Sequence, residues 1–307
     1  MYNGIINIHK EAGFTSHDVV AKMRGILKQK KIGHTGTLDP QATGVLPVCL
    51  GSGTKLCDML TDRDKEYVAE LLLGVSTDTQ DTTGEILREC PVEALEAQVR
   101  EAVLGFVGDY EQIPPMYSAL KVDGKKLYEL ARVGKEVERK ARPVVIHEIE
   151  ILDMALPVVK LRVVCSKGTY IRTLCADIGE KLGCGGAMQS LVRTRVGQFG
   201  LSEAITLTEL ERLRDEGRVR EVLVPVDSLF ADCPAMRVKS ERARLLENGN
   251  RLEERFVEAV ETGIDALCPE EGQQMRMYRE DGSFAGIYRY DMSAGQYAPV
   301  KMFLERD

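Results

Sequence analysis

The stretch from residue 31 to 47 constrains the fold more than any other. Lys31-Ile32-Gly33-His34-Thr35-Gly36-Thr37-Leu38-Asp39-Pro40-Gln41-Ala42-Thr43-Gly44-Val45-Leu46-Pro47 surrounds one carboxylate with glycine, threonine and proline. This composition predicts a loop. The glycines admit backbone angles and close ligand approach that side chains block, and Pro40 fixes the chain immediately after Asp39. The loop should hold Asp39 exposed. Between Ile32 and Pro47 there is no Lys, Ser or Cys, so Asp39 is the candidate for chemistry, as nucleophile or as base.

Around the loop the pattern predicts mixed elements. Gly4-Ile5-Ile6-Asn7-Ile8-His9 reads as a strand. Ser16 is placed to cap a helix whose apolar residues Val19, Val20, Met23, Ile26 and Leu27 recur at helical spacing, with Arg24, Lys28 and Lys31 on another face. That helix delivers the chain to the Asp39 loop. Further strands are expected over 66–74, 144–152 and 158–165, and helices over 92–104, 126–133, 170–182 and 208–216. Strands predominate without regular β-α-β alternation, so the fold class is α+β with a mixed, largely antiparallel sheet. Pro225 and Pro234 bracket a change of character near residue 230. Beyond it, Ser240 starts a short helix ending at Gly249, and 274–279 pairs with 284–291 across Glu280-Asp281-Gly282-Ser283. The expected division is residues 1–232 and a small β-rich domain over 233–307.

The 307 residues, 44% hydrophobic, can bury a sizeable core. No apolar run approaches the roughly 20 residues of a membrane span, and the start Met-Tyr-Asn-Gly-Ile-Ile-Asn lacks the pattern of a signal peptide. A cytoplasmic protein without membrane contact is expected. The eight cysteines form no C-x-x-C pair, and the four histidines do not cluster with them. Neither a disulfide nor a metal site is expected.

The net charge of −7 conceals a segregated distribution. Residues 1–35 carry +4, residues 121–142 carry +4 and residues 160–195 carry +5, whereas residues 36–120 carry −10. If the three basic segments meet in space they form a face for a polyanion. Each alone could equally be a solvated face. The residues after 232, with eleven bases against fourteen acids, are acidic overall.

Familiar motifs fail on spacing. Gly51-Ser52-Gly53-Thr54-Lys55 is not a P-loop, and Asp78-Thr79-Gln80-Asp81-Thr82-Thr83-Gly84 has neither the calcium-loop glycine nor its closing glutamate. Asp39 also lacks the second aspartate, two residues on, of an aspartyl phosphatase.

Gly33-His34-Thr35-Gly36-Thr37-Leu38-Asp39-Pro40 followed by Ala42-Thr43-Gly44-Val45-Leu46 resembles the catalytic motif of the TruB family, bacterial tRNA pseudouridine-55 synthases. The likeness continues in order over roughly residues 4–200. It includes Lys10-Glu11-Ala12-Gly13-Phe14-Thr15-Ser16-His17-Asp18, Lys65-Glu66-Tyr67, and Leu73-Gly74-Val75-Ser76-Thr77-Asp78-Thr79-Gln80-Asp81. Gln112-Ile113-Pro114-Pro115-Met116-Tyr117-Ser118-Ala119-Leu120-Lys121 and Ser166-Lys167-Gly168-Thr169-Tyr170-Ile171-Arg172 complete it. The C-terminal segment is similar, more weakly, to a PUA-type RNA-binding domain.

The resemblance implies a pseudouridine-synthase catalytic domain that isomerises one uridine in the T-arm of transfer RNA without a cofactor and without an obligatory protein partner, as a monomer. It gives Asp39 the catalytic role, Arg172 that of its cationic partner, and Tyr67 that of a ring stacked on the base and a candidate to help remove the C5 proton. His34 would fill the gap left by the flipped base, and Tyr170 and Leu191 would contact the flipped uridine. Asp81, Gly36 and Lys10 complete the substrate-binding set. Residues 121–142 would be a basic insertion closing over the RNA. On the residues alone, Tyr67, Tyr170 and Leu191 read as core, His34 as a local hydrogen-bonding residue, and Asp81 equally as a loop cap. Two other classes compete: a non-catalytic RNA-binding protein that helps transfer RNA fold, and a glycoside or nucleoside hydrolase, which would usually need two acids.

Overall fold

Thr15, not Ser16, caps the first helix, α1 (Ser16–Leu27). Its hydroxyl accepts from Asp18 N at 3.1 Å while the Asp18 carboxylate accepts from Thr15 N at 2.9 Å, closing a capping box. Ser16 lies one residue inside the helix and is buried, and its Oγ accepts from Leu38 N at 2.9 Å. A serine expected to serve the helix therefore pins the loop that precedes Asp39.

The computed structural model describes residues 1–122, 124–260 and 269–304. One nine-stranded sheet dominates it. In chain order its strands are β1 (Gly4–Lys10), β2 (Ile32–His34), β3 (Thr43–Leu50), β4 (Lys65–Leu73), β5 (Gly108–Gln112), β6 (Arg142–Ala155), β7 (Val158–Cys165), β8 (Gly186–Val196) and β9 (Phe199–Gly200). Across the sheet they run β1-β3-β8-β4-β7-β6-β5, with β2 on β3 and β9 on β8. Every pairing is antiparallel except β3 with β8. The fold is α+β, as the residue pattern predicts.

The longer helices that follow in this part are α2 (Glu96–Leu104), α3 (Ile171–Lys181) and α4 (Leu207–Asp215), with short helical turns at Cys57–Thr61 and Leu127–Ala131. Strand β4 shows the logic of the packing: Lys65, Tyr67, Ala69, Leu71 and Leu73 are buried while the residues between them are half-exposed. Its buried row joins β7, α2 and α3 in one apolar cluster with Leu38, Leu174, Ile178 and Leu191. On the other flank α1 and α4 cover β1 and β3.

Four local expectations shift. The helix expected from residue 92 begins at Glu96, and that expected over 126–133 is only Leu127–Ala131. Strands β3 and β8, absent from the sequence reading, are central. Most cations of the third basic segment have partners within the protein. Arg162 pairs with Glu66, Glu148 and Glu150; Lys160 with Glu70; Arg195 with Glu66; Lys167 with Asp62; and Lys181 lies over Phe106. Arg172 and Arg193 are buried. Solvated cations remain in the first two segments, at Lys22, Arg24, Lys28, Lys30 and Lys31 and at Lys121, Lys125, Arg132, Lys135, Lys140 and Arg142.

A second, six-stranded sheet spans 235–302, with the expected hairpin formed by Gln274–Tyr278 and Phe284–Asp291. It abuts the first part through Phe230, Phe284 and Phe303, which share a core with Ile5, Val45, Leu56 and Val196. Seven cysteines are free thiols, and Cys268 lies outside the described residues. Among the described residues no helix is long and apolar enough to cross a membrane, and no group of three His, Cys, Asp or Glu could hold a metal.

Candidate active site

The Asp39 loop leaves β2, turns, and re-enters the sheet as β3. Thr35 opens it by donating N and Oγ1 to Pro47 O, both at 3.2 Å, and Ala42 N closes a turn on Asp39 O at 3.1 Å. Lys10, at the end of β1, is wholly buried and donates Nζ to Pro40 O at 3.0 Å and to Glu11 O at 3.1 Å. Gly13 N adds a bond to Pro40 O at 2.9 Å. Held at these points, the loop presents the Asp39 carboxylate with 38% of its side chain exposed.

That carboxylate meets Arg172, on the first turn of α3. Arg172 Nε lies 2.9 Å from Asp39 Oδ2 and Nη2 lies 3.2 Å from Oδ1, a fork in which both oxygens are engaged. The arginine is itself fixed, donating Nη1 to Thr79 O at 3.0 Å and Nη2 to Tyr117 O at 2.7 Å. Asp81 Oδ2 is 3.9 Å from Nε. Its other oxygen accepts from Thr79 Oγ1, Thr83 N and Thr83 Oγ1 at 2.8, 3.0 and 2.6 Å. Asp81 therefore caps its loop and faces the arginine at the same time.

The apolar side of the site comes from the sheet. Tyr67 on β4 and Leu191 on β8 belong to the same buried cluster as Leu38, the residue before Asp39. Burial pushes the Tyr67 phenol up, so it keeps its proton at neutral pH, while the Arg193 guanidinium acts on it in the opposite sense. Tyr170 directly precedes α3 without a side-chain capping bond, and its backbone is locked by Gln112, whose Oε1 accepts from Tyr170 N at 2.7 Å and whose Nε2 donates to Tyr170 O at 3.0 Å. His34 accepts from Gly36 N at Nδ1, 3.3 Å, and meets His17 edge-on with centroids 6.4 Å apart. Burial lowers its pKa and leaves it neutral.

The structure thus ties Asp39 directly to Arg172, places Asp81 beside that arginine, and ties Lys10 to the backbone of the loop, in which Gly36 itself lies. Tyr67 and Leu191 lie in the Leu38 cluster, Tyr170 immediately precedes the Arg172 turn, and His34 sits at the loop's entry. Two buried cations escaped the sequence reading. Lys65 donates Nζ to Thr61 O and Arg63 O, each at 2.5 Å. Arg193 donates Nε to Val45 O at 2.7 Å and Nη2 to Gly36 O at 3.4 Å. Arg193 had a signal: it lies two residues beyond Leu191 on a strand and so shares its face.

Residues 24–171 match the TruB family pseudouridylate synthase N-terminal domain, and residues 172–231 match the tRNA pseudouridylate synthase B C-terminal domain. The chain is 54% identical to tRNA pseudouridine synthase B of Lachnoclostridium phytofermentans, covering 98% of this chain and 100% of that protein. It is 50% identical to the protein of that name from Alkaliphilus oremlandii, over 91% of this chain and 90% of that one. Among solved structures it resembles a chain of an H/ACA RNP bound to a substrate RNA containing 2′-deoxyuridine. The TM-score is 0.70 at 26% identity, covering 99% of this chain and 86% of that one. A chain of a Cbf5-Nop10-Gar1 complex gives 0.70 at 27%, covering 98% and 85%. The motif around Asp39, the α+β sheet that carries it and these full-length likenesses agree: the chain belongs to the TruB family and is a tRNA pseudouridine synthase.

Proposed function

We propose that the enzyme isomerises the uridine at position 55 in the T-arm of transfer RNA, with Asp39 as the nucleophile. The observation that carries this reading is the Asp39–Arg172 fork beside an apolar wall containing Tyr67 and Leu191. The reaction breaks the N1–C1′ bond, joins C5 to C1′, releases the C5 proton and returns a proton to N1, with no net redox change. A carboxylate attacking C1′ of the ribose or C6 of the uracil can carry it. Arg172, engaged with both oxygens, holds the Asp39 carboxylate in a fixed orientation as the apolar base displaces water. The target is flipped from the loop, costing a few kcal/mol, and stacks on Tyr67 against Leu191 and Tyr170 while His34 enters the space it leaves. Neutral His34 suits stacking among bases.

Residues 121–142 and the exposed cations of α1 grip RNA phosphates by shape and charge. A boundary near residue 232 separates the catalytic part from a PUA-like RNA-binding domain. The chain works in the cytoplasm as a monomer. A hydrolase using two acids is disfavoured because Asp81, the nearby second carboxylate, has one oxygen filled by three donors and the other turned to Arg172.

The test is tritium release from a T-arm minihelix labelled at uridine C5, comparing wild type with Asp39→Asn. Release that needs Asp39 and maps to position 55 supports the reading. Tight binding without release would shift the assignment to an RNA-folding protein, and free uracil would indicate hydrolysis.

A further inference from the structure

Arg193 sits where three central strands meet. On β8 it is the cross-strand partner of Tyr67 on β4 and of Gly44 on β3. The register slips between Arg193 and Arg195, a bulge of the kind that re-aims a side chain. Only 1% of the residue is exposed, and among the described residues no carboxylate pairs with it. A buried guanidinium without a counter-ion costs several kcal/mol unless its donors are filled, so its retention here calls for a reason.

Its contacts supply one. Nε and Nη2 donate to the carbonyls of Val45 and Gly36, two positions that bracket Asp39 on the loop. The same guanidinium acts on the Tyr67 hydroxyl, which also feels the Asp39 charge. Arg172 grips the carboxylate itself and Lys10 grips Pro40 O; Arg193 holds the loop on both sides of Asp39 and stands in register with Tyr67 on the neighbouring strand.

We propose that Arg193 is a positioning residue for isomerisation: by tying Gly36, Val45 and Tyr67 together it sets the Asp39 carboxylate and the Tyr67 ring at a fixed spacing for the flipped uridine. This rests on the assignment of Asp39 and Tyr67 above. It contacts neither substrate nor reacting atoms, and its effect belongs to the chemical step rather than to RNA affinity. Misplacing a reacting group by about 1 Å costs on the order of 100-fold in rate.

Arg193→Met and Arg193→Lys are compared with wild type and Asp39→Asn on transfer RNA labelled at uridine C5. Thermal unfolding, RNA Kd and single-turnover tritium release are measured on each. Expected for both variants is a folded protein with Kd within about threefold of wild type and a rate lowered at least ~30-fold, with lysine failing to rescue because it lacks the fork. Folded variants with wild-type rates, or a weakening of Kd that accounts for the whole defect, overturn the proposal. If neither variant folds, Tyr67→Phe decides: a tenfold or greater loss at unchanged Kd that is uniform with pH supports positioning, and a wild-type rate, or a loss that changes with pH as proton transfer by the hydroxyl requires, overturns it. An active Asp39→Asn would instead sink the site assignment, and this proposal with it.

Discussion

Asp39 and Arg172 lie 133 positions apart in the chain and meet through two contacts, at 2.9 and 3.2 Å. The arginine side chain is 6% exposed and the carboxylate 38%, so the pair is a dry cation holding a wet anion. Thr79 O and Tyr117 O take two more of the guanidinium donors, which offsets its desolvation. The carboxylate is left oriented and still reachable.

Arg172→Lys keeps the charge and loses the fork. A single ammonium cannot hold both oxygens and both carbonyls, so single-turnover tritium release should fall by about 100-fold or more while RNA Kd changes little. Equal losses in rate and Kd would mean that Arg172 contacts RNA instead.

Asp81 separates its two duties by atom. Oδ1 takes three donors and Oδ2 faces Arg172 at 3.9 Å, beyond hydrogen-bond range. Asp81→Ala should therefore cost about 1–3 kcal/mol in denaturant unfolding, and Asp81→Asn, which keeps an acceptor oxygen, less than ~1. Because the loop bonds dominate, the asparagine variant should also retain activity within about threefold. A dead but fully stable asparagine variant would give the charge the larger part.

Burial pushes the Lys10 ammonium down to about 8 from 10.5. Between those values the unfolded chain holds more protons than the folded one, so this residue adds stability as pH rises and imposes its full burial cost below pH 8. Lys65, also pushed down to about 8, acts in the same sense. The unfolding free energy of wild type relative to Lys10→Met should increase between about pH 7.5 and 10, with Lys65 common to both proteins. A flat difference would mean that Lys10 is not desolvated.

Charge on the surface divides in an equally testable way. Lys121, Lys125 and Lys140 are exposed, whereas Lys160 and Arg195 are tied to Glu70 and Glu66. Replacing the first three with Gln should reduce the slope of log Kd against log salt by about 0.7–0.9 for each RNA phosphate that is no longer neutralised. Replacing the other two should leave it unchanged.

Local reading of the sequence reached the Asp39 loop because its glycines and prolines are short-range signals, and it reached α1, β1 and β7 because their periodicity is clean. It missed β3 because Gly44 and Pro47 read as loop residues; in the sheet Pro47 O serves Thr35, and Gly44 carries φ +104. It missed β8 because two register slips break the alternation. The Asp39–Arg172 pairing rested on family resemblance, since nothing in local sequence joins residues 133 apart. Charge along the chain is non-local in the same way: whether a lysine or arginine is solvated depends on its tertiary partners.

Gly44 and Gly36 give the sharpest contrast on the loop. Both have positive φ, +104 and +148, so alanine at either strains the backbone by about 1–3 kcal/mol. They differ in what a Cβ would meet. At Gly44 it would lie 2.2 Å from the Arg193 carbonyl oxygen and 2.9 Å from its nitrogen, atoms of a central strand that cannot yield without unzipping β3 from β8. At Gly36 the nearest atom is Arg193 Nη1, 3.7 Å away, an ordinary contact. Gly44→Ala should therefore lose more than ~4 kcal/mol or fail to fold, and Gly36→Ala should fold with a loss of about 1–2 kcal/mol, both read by denaturant unfolding. Equal losses would show that backbone strain alone governs these positions and that the β3–β8 contact is softer than its geometry.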